Sequence, residues 1–75
     1  MPEESKHLVS DFVCGVICQI RLERGLKVQD MSRMAGIPLG SYSCLETGRY
    51  RLNLENLLRI LEALKIDIAQ VWPRA

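Results

Sequence analysis

Gly25, Gly36 and Gly48 punctuate this chain, and each closes a stretch whose apolar residues recur at helical spacing. Glycine in that place ends a helix, because without a Cβ it enters the left-handed conformation that helix C-termini commonly need. The chain is therefore confined to a succession of short helices, and nowhere does it show the apolar and polar alternation of a strand. The first helix is expected from Lys6 to Arg24, after a tail of residues 1–5 with Ser5 as cap. Val9, Val13, Ile17 and Ile20 form its inward stripe. A second is expected over Val28–Ala35, with Met31, Met34 and Ala35 inward. A third runs from Pro38 to Thr47, proline suiting a first helical turn because its missing N–H has no partner there anyway. A fourth is expected over Leu54–Leu64, capped by Asn53, with Leu54, Leu57, Leu58, Leu61 and Leu64 inward. Asp67 and Gln70 have capping-box spacing, which predicts a short fifth helix ending at Trp72 before Pro73.

The chain has 75 residues, enough for one modest core, and the expected organisation is the tail 1–5 followed by a single domain over residues 6–75. Apolar residues make up 48% and charged residues 25%, the balance of a folded chain and not of a disordered one. That apolar share is generous for so small a core and points to a second copy as cover. A formal net charge of +1 does not by itself suggest nucleic acid. Between Arg21 and Arg59, however, seven basic residues (Arg21, Arg24, Lys27, Arg33, Arg49, Arg51, Arg59) face four acidic ones (Glu23, Asp30, Glu46, Glu55). Three cysteines with no CxxC pair argue against a disulfide framework or a zinc knuckle, so the expected setting is the reduced cytoplasm. The apolar stretch Leu8–Ile20 is interrupted by Asp11 and Gln19, lacks a small-residue cleavage site, and is too short to span a bilayer. With no nucleophile and base pair, phosphate-cradling loop or carboxylate constellation, the reading is of a binding module with no cofactor and no small-molecule ligand, not an enzyme.

Two short helices separated by a tight turn at Gly36 meet the physical requirement of a helix-turn-helix, in which one helix braces while the next enters the major groove. Particular residues sharpen this outline: Arg24-Gly25-Leu26, Ala35-Gly36-Ile37, Leu45-Glu46-Thr47-Gly48-Arg49 and Leu54 through Ile60 fall in the expected order. Over residues 13 to 72 the chain resembles the Xre or Cro-like helix-turn-helix family without gaps. The resemblance implies an all-α, lambda-repressor-like fold of five helices, with the helix-turn-helix formed by the second and third. It also implies a homodimer on double-stranded DNA that regulates transcription, with the helix Pro38–Thr47 in the groove.

By the same resemblance the base-facing positions are Leu39, Gly40, Ser41, Ser43 and Cys44, and the phosphate contacts are Gln29, Arg33, Arg49, Tyr50 and Arg51. Two departures stand out. Val28 replaces a frequent phosphate-contacting glutamine, with Gln29 beside it as substitute. The recognition positions have only serines where relatives carry side chains able to bond base edges directionally, leaving apolar contact of Leu39 with a thymine methyl and close backbone approach at Gly40. Both departures, and the low net charge, suit an alternative: a protein-assembly module that keeps the fold with weak or lost DNA reading. Arg49 and Arg51 read in isolation as solvated loop charge, but their place after the Glu46-Thr47-Gly48 turn favours phosphate docking.

On the first helix His7, Asp11, Cys14 and Cys18 share a stripe and form a metal-ligand inventory. A straight helix seldom wraps a tetrahedral ion, so packing of small cysteines is the preferred reading. Cys44 reads as an incidental small residue ahead of a redox switch. Glu46 reads as a structural hydrogen bond or ion pair to neighbouring elements. Leu8, Phe12, Val16 and Leu22 lie beside or behind the core stripe, and two readings stand level for them: packing on Trp72 and the tail, or a partner surface.

Overall fold

The computed structural model describes residues 8–72. The tail 1–5, the Ser5 cap, the helix start at Lys6, His7 and Pro73 lie outside the described residues. Helix α1 spans Leu8–Glu23, α2 Val28–Ala35, α3 Leu39–Glu46 and α4 Leu54–Leu64. The expected fifth helix is a single 3-10 turn, Ile68–Gln70, so the described architecture is four α-helices and that turn. Its opening follows the expected cap, with the Gln70 side-chain oxygen accepting the Asp67 N–H at 2.9 Å.

Local chemistry sets the boundaries. After α1 the Leu26 N–H bonds the Arg21 carbonyl at 3.0 Å around Gly25, whose φ is 68°. Asn53 caps α4 as expected, its side-chain oxygen accepting the Asn56 N–H at 2.7 Å. At the start of α2 the Asp30 carboxylate reaches back to the Lys27 N–H at 2.7 Å. That backbone bond first, and Arg33 after it, hold the Asp30 carboxyl below its ordinary range. Pro38 stands just outside α3, its carbonyl accepting the Tyr42 N–H at 2.9 Å, and Thr47 is the C-cap.

The core draws on every element: Val13, Cys14 and Ile17 from α1; Met31 and Ala35 from α2; Tyr42 and Leu45 from α3; Leu57, Ile60, Leu61 and Leu64 from α4. Ile37 from the second turn and Val71 after the 3-10 turn complete it. Helix α2 packs on α3 and α4, and α1 on α3. Four expected core positions are corrected: Val9, Met34, Leu54 and Leu58 are all more than two-fifths exposed. On α4 the buried stripe is Leu57, Ile60, Leu61 and Leu64, rotated toward Ile60 and away from Leu54 and Leu58. Val28, the unusual residue at the start of α2, packs partly buried against the core.

Met31 is wholly buried, so Met31→Ala is expected to lower unfolding free energy by about 2–5 kcal/mol. Asn53→Ala is expected to lower it by about 1 kcal/mol, with Asn53→Asp close to neutral. Urea denaturation followed by circular dichroism measures both.

Candidate nucleic-acid interface

The turn between α2 and α3 is closed from both sides. Gly36 has φ 70° and donates its N–H to the Ser32 carbonyl, which also accepts the Ile37 N–H at 3.0 Å. The Ser32 hydroxyl in turn donates to the Ile37 carbonyl at 2.5 Å. Ile37 is only 3% exposed, so this side chain wedges the turn into the core and sets where α3 begins.

Helix α3 has two dissimilar sides. Tyr42 and Leu45 point inward and are buried. Leu39, Gly40 and Ser43 are exposed, whereas Ser41 and Cys44 are half-buried. The five base-facing candidates are therefore surface-accessible to different degrees, with Leu39 the largest apolar group among them.

A buried ionic cluster holds this helix in place. Arg21, reaching across from α1, forms a two-point pair with Glu46: Nε to Oε2 at 2.8 Å and Nη2 to Oε1 at 3.1 Å. Its Nη1 donates to the Leu26 carbonyl at 2.7 Å, and the Tyr42 hydroxyl donates to Glu46 Oε2. The Glu46 hydrogen bond pushes the Arg21 guanidinium above its ordinary range, and burial above all pushes the Tyr42 phenol up, so both remain donors. Glu46 thus has the structural role expected of it. Arg21 is removed from the count of basic residues open to a partner.

After α3 the loop folds back on the helix end. The Cys44 carbonyl accepts the Arg49 N–H at 2.9 Å and the Tyr50 N–H at 3.2 Å, and Gly48 takes φ 80°. Farther along, the Leu52 N–H donates to the Ser10 hydroxyl at 2.9 Å, tying the loop to α1. Between these anchors Arg49, Tyr50 and Arg51 are exposed. Among the described residues neither arginine forms an ion pair. Gln29 and Arg33 are exposed on α2, Arg33 being drawn to Asp30 at 3.0 Å.

Sequence reasoning missed three contributors: Arg21 as a buried residue, Tyr42 as a core residue and Ser10 as the loop anchor. A signal existed for the first, since Val13, Ile17 and Arg21 stand four residues apart and must share a face. Cys14 lies in the core, where burial pushes its thiol up, and Cys18 Sγ lies 3.8 Å from Arg21 Nη2. Among the described residues no group of three or more His, Cys, Asp or Glu side chains could hold a metal ion. No described helix is long and apolar enough to cross a membrane.

Both side chains of the Arg21–Glu46 pair are about 10% exposed, so Glu46→Ala strands a buried cation and is expected to cost about 3 kcal/mol or more. The double variant Arg21→Met/Glu46→Leu is expected to recover most of that loss in urea denaturation.

A family model described as helix-turn-helix matches residues 19–71, from the later part of α1 through the 3-10 turn. Neither the curated proteins nor the solved structures yield a match. The match runs through α2, the Gly36 turn and α3, and the chain belongs to the helix-turn-helix family, a family of DNA-binding domains.

Proposed function

We propose that this protein is a transcriptional regulator of the Xre/Cro type that binds duplex DNA as a homodimer, with α3 in the major groove. The supporting observation is the juxtaposition of an exposed α3 face with a basic loop pinned at both ends, by the Cys44 carbonyl and by Ser10. Pinning matters because ordering a flexible loop costs conformational entropy, and a loop already fixed spends none of that on docking. In this reading Arg49, Tyr50 and Arg51 contact phosphates, joined by Gln29 and Arg33 from α2. Leu39, Gly40, Ser41, Ser43 and Cys44 face the bases.

Support for a dimer comes from a second surface. Val9, Val13, Leu54, Leu57, Ile68 and Trp72 line a groove of about 310 Å³, which Arg51 also borders. Val9, Leu54, Ile68 and Trp72 each remain more than two-fifths exposed, as do Phe12 and Leu22 on α1. A second copy seated here would cover apolar area that one chain leaves in water. Val16, by contrast, packs against the core and contributes to the protein's own interior.

Arg49→Ala/Arg51→Ala is expected to weaken binding to all duplexes alike and to reduce the slope of log affinity against log salt by about 2. Fluorescence anisotropy at several salt concentrations measures it, and an unchanged slope rejects this docking. Sedimentation velocity is expected to show a dimer at high micromolar concentration, and a strictly monomeric species rejects the homodimer. Absence of duplex binding at low salt favours an assembly module that has kept the fold.

A further inference from the structure

The exposed side of α3 is short of the groups that read guanine. Arginine or lysine donating to guanine O6 and N7 is the commonest base-specific contact in the major groove, and asparagine or glutamine serves adenine. Helix α3 carries none of these four residues. Its one carboxylate, Glu46, would suit the cytosine amino group, but its oxygens already hold Arg21 and the Tyr42 hydroxyl. Arg33 lies on the preceding helix and not on α3, and Arg49 and Arg51 stand past the C-terminal end of α3. Thr47 turns its hydroxyl back to the Ser43 and Cys44 carbonyls. What faces outward is Leu39, 48% exposed in the first turn, then Gly40 and the hydroxyl of Ser43.

Gly40 strengthens this reading. A Cβ built there meets nothing within 4 Å, so the fold itself does not require glycine at that position. Placed in the first turn of α3, this glycine gains nothing from internal packing. Its neighbour Leu39 gains from it, because a bare backbone lets the first turn approach a groove floor closely enough for a branched side chain to touch a methyl group.

Resting on the DNA-binding reading of α3, we propose that base selection is apolar: Leu39 contacts the C5-methyl of thymine, and no guanine-anchored contact is made. The targets are duplexes that present a thymine methyl to Leu39 in the major groove of each half-site. The serine hydroxyls, which donate and accept alike, add contacts without choosing a base.

The test starts from the tightest-binding duplex recovered by the full-length chain from a random pool. Two analogues of that duplex are made, one with uracil for every thymine and one with 7-deazaguanine for every guanine. The first lacks the methyl and the second lacks the N7 acceptor. The uracil duplex is expected to bind about fourfold more weakly for each contacted methyl, and the 7-deazaguanine duplex as tightly as the parent. In Leu39→Ala, at an exposed site outside the core, the thymine-to-uracil affinity ratio is expected to fall toward one, whatever the overall affinity of the variant. Equal binding of thymine and uracil duplexes overturns the proposal, as does a tenfold loss on 7-deazaguanine. A methyl effect that persists in Leu39→Ala overturns the assignment to Leu39. Failure to bind any duplex at low salt is a separate result, which removes the DNA-binding reading itself.

Discussion

The buried pair between Arg21 and Glu46 is the interaction on which the arrangement of this protein turns. One guanidinium reaches the end of α3 through Glu46 and the first loop through the Leu26 carbonyl, while the Tyr42 hydroxyl shares the same carboxylate. Charges taken out of water need near-complete hydrogen bonding to be tolerated, so this cluster admits little variation in how α1 meets α3. No buried side-chain nitrogen or oxygen lacks a partner among the described residues, which fits a polar interior that is small and fully used.

That constraint divides α3 lengthwise. Its inner side is anchored by Tyr42 and Leu45 in the core and by Glu46 at its end, so the helix has little freedom to roll. Its outer side is left to small or apolar groups. At the helix start, Ile37 is buried in the turn and the Ser32 hydroxyl closes on the Ile37 carbonyl. At the helix end, the loop carrying Arg49 and Arg51 hangs from the Cys44 carbonyl. A face held this firmly needs little further ordering, which suits the recognition by shape and methyl contact proposed for it.

The helix ends were legible in the sequence because their causes are local. Gly25, Gly36 and Asn53 act on backbone groups a few residues away, and α2 and α4 have the expected bounds. The last element fell short of a helix, since Ile68–Gln70 leaves room for a single 3-10 turn before the chain turns at Val71. Inward faces were harder to read. Leucines at 54 and 58 fit a stripe as well as Ile60 does by spacing alone, and Met34 as well as Met31; only packing in the folded chain separates them.

Candidate binding residues show the same division. Periodicity and the order of short motifs located α3 and the basic loop after it, since both follow from positions along the chain. Which charges are available did not follow. Arg21 and Arg33 look alike in a list of basic residues, yet one is buried against a carboxylate 25 positions away and the other is exposed on α2. Sequence alone therefore determined the helices, their caps and the family outline, because short-range hydrogen bonds and side-chain period suffice for those. Only the tertiary structure decided which polar groups are consumed inside and which stay exposed, because pairing across the core depends on distances between residues far apart in the chain.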